Sequence, residues 1–155
     1  MPSFNKQPSE TKTVSLSWTL RIPAGVTIVS ATVYASDKLA ALPTTALEQP
    51  SAILATSVSL VANPGVGALL TIDPGEPTEE VVKVSAISGS GPYAATIVPE
   101  LLYAHADNAD VEYEPGVSSL ILVSTTATIA AETTVFRVRR GIAGHTYRIS
   151  VIATL

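Results

Sequence analysis

The stretch TVSLSWTLRIP, residues 13–23, decides the fold class of this chain. Its apolar residues recur at every second position, and the row consists of Val14, Leu16, Trp18, Leu20 and Ile22. A strict period of two is typical of a β-strand that buries one face. Because Trp18 stands in the middle of the row, we expect it to lie in a hydrophobic core. The stretch therefore predicts an all-β fold.

The segments outside the middle of the chain repeat this style. After a turn at 23–25, residues 26–36 read as a second strand, whereas residues 36–51 lose the alternation and are interpreted as a connection. Alternation returns after Gly116, with two or three strands in 118–141. The last stretch, 143–155, predicts a final strand that has Tyr147 on its apolar face.

The middle of the chain reads as short strands at close spacing. Five strands are predicted, at 57–62, 68–72, 79–87, 93–98 and 110–113. The sequences between them, such as NPGVG, DPGEPT and SGSGP, carry the Pro, Gly, Asn and Asp of tight turns. Short strands joined by tight turns predict a small antiparallel barrel or meander.

The domain organisation follows from the return of period-two alternation after the middle segment. The outer strands on either side are too few to form an independent sandwich. We therefore predict one β-sandwich built from residues 12–52 and 116–155, with a small β domain inserted at 53–115. Residues 1–11 are polar and contain proline, which predicts an extended N-terminal arm.

Composition excludes several classes of function. Charged residues make up 14% of the 155 residues, and the net charge is −4. A nucleic-acid-binding surface needs a broad cationic footprint, which this sequence lacks. It has no apolar run long enough to cross a membrane and no hydrophobic segment typical of a secretory signal, so neither is expected. The absence of cysteine excludes disulfides and thiolate metal sites.

The stretch LLYAHADNADVEYE, residues 101–114, concentrates ionisable groups. It does not have the spacing of a calcium loop, and the two histidines, His105 and His145, are far apart in sequence for a zinc site. We interpret HADNAD as a solvent-facing turn in which Asp and Asn bond their own backbone. No cofactor and no metal are predicted.

Catalytic patterns are also missing from the sequence. There is no nucleophile elbow of the G-x-S-x-G type, and GSG at 89–91 is too short for a phosphate loop. Glu79 and Glu80 are adjacent on a predicted strand, so their carboxylates point to opposite faces and cannot share a substrate. We expect a protein that is not an enzyme.

Two outer segments resemble the phage fiber–tail adaptor proteins, which are small immunoglobulin-like components of tailed-phage virions. The matching stretches are residues 4–33 and 124–155, about 60 residues in all. The residues that carry the resemblance are Lys6, Pro8, Glu10, Trp18, Gly25, Thr27, Ile28, Ser30, Gly141, Gly144, Tyr147, Ile149 and Thr154. The resemblance implies an immunoglobulin-like sandwich, and the segment 53–115 resembles small β-barrel inserts of other phage structural proteins.

The resemblance implies an adaptor at the tail or neck of a bacteriophage particle. It would be assembled in the host cytoplasm, bind other virion proteins such as fibers, and work as several copies in a symmetric ring. A capsid decoration or head-completion protein and a carbohydrate-binding module for host recognition are the alternatives. We expect the partner-binding residues to be Phe4, Lys6, Pro8 and Glu10 in the arm, with Arg137 and Arg139 on one strand face.

The two arginines have an alternative interpretation. Arg137 and Arg139 are two positions apart, so their guanidinium groups point the same way on a strand. They could simply cover a solvated sheet face, or they could make bidentate contacts to carboxylates of a neighbouring subunit. Glu10, Glu48 and Glu132 are candidate partners in such a contact.

Overall fold

The computed structural model describes residues 11–18, 22, 23, 25–130, 132–139, 141, 142 and 144–155. It confirms the all-β fold, a β-sandwich with a barrel-like part. The elements are β1 Lys12–Ser17, β2 Ser30–Asp37, β3 Thr44–Ala46, β4 Ser57–Leu60, β5 Leu69–Ile72, β6 Glu80–Ser88, β7 Tyr93–Val98, β8 Asp110–Glu114, α1 Ser118–Ile121, β9 Thr128–Ala130, β10 Thr133–Val138 and β11 Tyr147–Thr154. Within the described ranges, no helix is long and apolar enough to span a membrane.

The chain divides into two compact units. The first unit contains the described residues up to Ala35 together with those of Ser118–His145 and Ile149–Leu155. The second unit contains Ser36–Val117 and Thr146–Arg148.

The first unit is built on two sheets. One is antiparallel and three-stranded in the order β1-β10-β9, and the other pairs β11 with β2. The register of β1 and β10 sets Val14 opposite Phe136, and Phe136 and Val138 are buried. On β2, Ala31 and Val33 are buried as well. The alternation therefore selects a buried face on β10 and a half-buried face on β1, whereas β2 is buried on both faces from Val33 to Asp37.

Two aromatic side chains in the alternating outer segments are less buried than the sequence predicts. Trp18 and Tyr147 are both half-buried rather than enclosed in a core. β1 ends at Ser17, so Trp18 follows the strand. Its indole N–H donates a hydrogen bond of 3.1 Å to the hydroxyl of Thr134, which is itself fully buried. A tryptophan bonded through its polar edge can remain at the margin of a core.

The second unit is a six-stranded antiparallel sheet in the order β3-β8-β5-β6-β7-β4. The sheet is curled, so that its two edge strands β3 and β4 meet. Leu47 and Leu60 form a β-bridge there, and the Val61 N–H donates to the Ala46 carbonyl at 3.1 Å. The buried interior contains Leu47, Val58, Leu60, Ala68, Leu70, Ile72, Val82, Val84, Ala95, Ile97, Leu101, Ala109 and Val111. The five strands expected in this part of the sequence correspond to β4 through β8, with ends that differ by at most two residues.

The observed division of the chain differs from the predicted boundaries at residues 36–52, 116–117 and 146–148. These residues were expected to belong to the sandwich, but they lie in the second unit. β3 pairs with β8, and Leu47 is fully buried in the barrel interior. A strand of three residues is too short to show a period, so the sequence of this segment suggested only a connection.

Candidate functional site

The residues predicted to bind partners fall partly outside the structure. The four arm residues, Phe4, Lys6, Pro8 and Glu10, lie outside the described residues. Arg137 lies in β10 opposite Thr13 and is exposed. Arg139 lies just beyond β10 and is half-buried, and its Nη2 donates to the Ser119 carbonyl at 3.5 Å. Arg137 is therefore the more accessible of the two guanidinium groups.

Arg137 also lines a shallow groove of about 190 Å³ in the first unit. Thr13, Thr126 and Thr128 supply hydroxyl groups to the same groove, and Val135 supplies an apolar wall. A single guanidinium among hydroxyl groups is suited to a carboxylate, which it can hold through two parallel hydrogen bonds. The groove is thus a candidate contact point for an acidic side chain of another protein.

The more elaborate site lies in the second unit and is centred on His105. The sequence suggested a solvent-facing turn here, but His105 is buried and its ring is fully enclosed. Its Nδ1 lies 2.7 Å from Asp73 Oδ2 and its Nε2 lies 2.6 Å from Glu80 Oε1. A neutral imidazole carries one N–H donor, so only the doubly protonated ring donates to both carboxylates. Each ring nitrogen lies within hydrogen-bond distance of one carboxylate oxygen.

Strand ends bring these three side chains together. Asp73 follows β5, Glu80 begins β6, and the two strands pair so that Ile72 stands opposite Glu80. His105 reaches the same end of the barrel from the segment before β8. Its main chain exchanges two 3.0 Å hydrogen bonds with Ser51. His105 therefore joins three separate parts of the barrel unit.

The two acids have further bonds of their own. Glu80 accepts backbone N–H bonds from Leu102 at 2.8 Å and from Tyr103 at 3.2 Å. Asp73 accepts a 2.9 Å bond from the Thr78 hydroxyl. The hydrogen bond from His105 holds the pKa of Asp73 below its ordinary value, against the opposing effect of burial, and Thr78 acts in the same direction as His105. Both nitrogens of the enclosed ring are occupied, so this histidine serves to hold structure in place.

The two segments next to this network, 51–55 and 101–105, expose four large apolar side chains. Ile53 is 59% exposed, Leu54 61%, Leu102 62% and Tyr103 43%. They lie on two segments that are hydrogen-bonded to each other, with Leu54 N–H donating to the Leu101 carbonyl at 2.8 Å. We call Ile53, Leu54, Leu102 and Tyr103 the apolar patch. Exposed apolar side chains that gather in one place are typical of a surface that binds another molecule.

One residue of the apolar patch has an unusual backbone. Leu54 adopts a φ of 64°, in the left-handed region that branched side chains rarely occupy. Such a conformation costs on the order of 1–3 kcal/mol and is often found at functional sites. The hydrogen bond to Leu101 and a second one, from Ala55 N–H to the Ala52 carbonyl at 3.2 Å, help to hold it.

A second buried charge cluster in the barrel unit involves Glu114. Arg148 donates to both of its carboxylate oxygens at 2.9 Å, and the Ser36 hydroxyl donates at 2.8 Å. Burial acts to raise the pKa of Glu114, but the hydrogen bonds from Arg148 and Ser36 outweigh it and hold the pKa below its ordinary value. Glu114, Arg148 and Ser36 all belong to the second unit, and Glu114 is the last residue of the 101–114 stretch.

One signal in the sequence indicates the buried network. Glu80, Val82 and Val84 occupy alternate positions of β6, and all three are buried. An acid in the apolar row of a strand requires a buried partner, because an isolated buried charge is costly. Asp73 and His105 are distant in sequence from Glu80, so the partner itself could not be identified from that pattern.

The comparisons with known proteins gave no match. No protein-family model, curated protein or solved structure is similar to this chain at a significant level. Within the described part of the chain, no group of three or more His, Cys, Asp or Glu side chains is arranged to hold a metal ion.

Proposed function

We propose that this protein is a non-enzymatic structural component of a tailed-bacteriophage virion, an adaptor at the tail or neck that binds other virion proteins. The observation that carries the proposal is the apolar patch. Its Ile53, Leu54, Leu102 and Tyr103 are each 43–62% exposed on segments bonded to each other. A fixed apolar surface of this kind supports a role in docking, and the resemblance of the outer segments to fiber–tail adaptors supplies the setting.

The apolar patch is suited to protein contacts for a second reason. Its backbone is held by hydrogen bonds to the Glu80 carboxylate and the Leu101 carbonyl, and by the main-chain bonds between Ser51 and His105. Little conformational entropy is therefore lost when a partner covers it. Leucine, isoleucine and tyrosine side chains then provide apolar area that is removed from water. The exposed Arg137 in the other unit adds a candidate contact to a partner carboxylate.

The proposal is tested by particle assembly. Virions are produced with Leu102→Ser and Tyr103→Ser combined, and the copies of the protein per particle are counted by quantitative mass spectrometry. We expect the double variant to be lost from particles or strongly reduced. The matched control is Val81→Ser, which removes another exposed apolar side chain of the same unit, 48% exposed, and should leave occupancy unchanged. Full occupancy of the double variant would exclude the apolar patch as a docking surface.

The arm and the ring of copies belong to the same proposal. We propose that residues 1–11 contribute to docking and that several copies surround a symmetric tail or neck. A chain that lacks residues 1–11 should fold but join particles weakly, whereas full assembly would assign docking to the remaining surface. Image reconstruction of the particle gives the copy number and also distinguishes the tail from the capsid, where a decoration or head-completion protein would lie.

The carbohydrate-binding alternative has one observation in its favour. Tyr103 is an exposed aromatic side chain, and aromatic faces are common in sugar sites. A glycan array distinguishes the two functions. Saturable binding that Tyr103→Ala abolishes would favour host recognition, and the absence of such binding together with loss of the double variant from particles would favour the adaptor.

A further inference from the structure

The loop that carries half of the apolar patch is fixed by a side chain buried beneath it. Glu80 accepts the backbone N–H groups of Leu102 and Tyr103 at 2.8 and 3.2 Å, and it is 8% exposed. Two neighbouring amides that share one carboxylate cannot rotate independently. The positions of the Leu102 and Tyr103 side chains therefore depend on where Glu80 is held.

Glu80 is held in turn by His105. His105 Nε2 lies 2.6 Å from Glu80 Oε1, and the other ring nitrogen, Nδ1, lies 2.7 Å from Asp73 Oδ2. The main chain of His105 exchanges hydrogen bonds with Ser51, at the start of the segment that carries Ile53 and Leu54. One residue thus connects to both halves of the apolar patch, through its ring to one and through its main chain to the other.

We infer that His105 and Glu80 are positioning residues that preset the shape of the apolar patch without touching the partner that covers it. This inference rests on the proposed function for the meaning of the patch, but its physical content concerns the loop alone. A partner that binds a preset loop does not lose affinity to the cost of ordering it. Loss of the Glu80 bonds should leave the same apolar side chains present but unfixed.

Local order of the loop provides a readout that a general stabilising role would not give. Amide hydrogen exchange is measured by NMR on the full chain, comparing the wild type with Glu80→Gln. The two amides bond different oxygens of Glu80, and Gln, although isosteric, has an acceptor at only one of these two positions, so it cannot hold both amides. We expect exchange at Leu102 and Tyr103 to rise by about tenfold or more, since a hydrogen bond to a charged acceptor is lost. Amides of the barrel interior, such as Leu70 and Val84, should rise by a smaller factor, which is set by the loss of stability of the whole unit.

The matched control is Glu100→Gln, which neutralises an exposed acid two residues before Leu102. It should exchange as the wild type does. If Glu80→Gln does not fold, Asp73→Asn tests the same connection through His105 from a side chain that is 19% exposed, with a smaller increase expected at the same two amides. Wild-type exchange at Leu102 and Tyr103 in the folded variant would overturn the inference. An equal rise at every barrel amide would also overturn it, because it would show a merely stabilising role.

Particle occupancy of Glu80→Gln then separates this inference from the proposed function. Faster loop exchange with reduced occupancy supports both. Faster loop exchange with full occupancy of both Glu80→Gln and the Leu102 and Tyr103 double variant supports the positioning role and rejects the docking function. Unchanged exchange rejects the positioning role whatever the occupancy.

Discussion

The ring of His105 and the carboxylate of Glu80 lie 2.6 Å apart, with both side chains buried, although the residues are 25 positions apart in sequence. Burial of a carboxylate is costly, and the cost is offset only when hydrogen-bond donors satisfy its oxygens. Here Asp73 contacts the second ring nitrogen, and the two oxygens of Glu80 accept the backbone N–H groups of Leu102 and Tyr103. Loss of Glu80 therefore leaves several donors without their acceptor.

Removal of Glu80 should strongly destabilise the barrel unit. Glu80→Ala leaves His105 and two backbone N–H groups without their acceptor, and breaking such a buried pair typically costs about 3–5 kcal/mol. Urea unfolding followed by far-ultraviolet circular dichroism measures the change. Fluorescence of the single tryptophan is unsuitable, since Trp18 lies in the other unit. Glu100→Ala, at an exposed acid, should change stability by at most about 0.5 kcal/mol. Equal midpoints for the two variants would contradict the prediction.

The sequence determined the strands better than it determined the site. Period two in β1 and turn chemistry around β4–β8 are local signals, so they identified the all-β fold and the barrel strands. The three-residue β3 and the buried Leu47 gave no such signal, and residues 36–52, expected in the sandwich, lie in the barrel unit. The role of His105 depends on Asp73 and Glu80, which only the folded barrel brings together. Local polarity alone therefore suggested a solvated turn.

Asp73 should make the barrel unit less stable in acid. Its pKa is lowered mainly by the hydrogen bond from His105. An acid whose pKa is lower in the folded than in the unfolded state stabilises the fold above its unfolded value, about 4, and this contribution is lost as pH falls through the folded value. Thermal melting of the wild type and Asp73→Asn from pH 7 to pH 2 should therefore show a difference that shrinks in acid.

Asp107 supplies the control for that titration, because it is an exposed acid close in sequence to His105. The difference between the wild type and Asp107→Asn should be small at every pH. Glu114, whose pKa is also lowered, is present in all three proteins and cancels in the comparison. A pH-independent difference for Asp73→Asn would show that its carboxylate charge does not stabilise the fold.

Arg148→Lys should weaken the Glu114 cluster although the charge is retained. Arg148 holds both carboxylate oxygens at 2.9 Å, and lysine cannot reproduce this planar two-bond contact. We expect a loss of about 1–2 kcal/mol, because Arg148 is partly exposed and solvent screens part of the interaction. Urea unfolding measures it, and Arg137→Lys, at an exposed strand position, is the control. Equal stability of Arg148→Lys and the wild type would mean that the second hydrogen bond contributes nothing.

Leu54→Asn should separate stability from docking. Asn tolerates the left-handed backbone that Leu54 adopts at φ 64°, so the substitution relieves strain and should raise stability by about 0.5–1 kcal/mol. The same change removes an apolar side chain from the apolar patch and should lower particle occupancy. Leu102→Asn is the comparison, since Leu102 does not share the positive φ and should gain no stability. Reduced stability of Leu54→Asn would show that the leucine side chain is needed for the fold of this segment.

Gly65→Ala and Gly75→Ala should differ sharply although both glycines have a φ of +82°. At Gly75 an added Cβ meets open space, so alanine suffers only the backbone strain, about 1–2 kcal/mol. At Gly65 the added Cβ would lie 2.7 Å from the carbonyl oxygen of Gly116, whose N–H is bonded to the Pro64 carbonyl at 2.8 Å. This main-chain contact cannot move freely, so overpacking should add about 1–3 kcal/mol to the same strain. The free energy of unfolding of each variant is measured in urea. Because the backbone strain is common to both variants, the difference between them gives the cost of the steric contact at position 65. Equal losses would mean that the 64–67 turn and Gly116 can separate without cost.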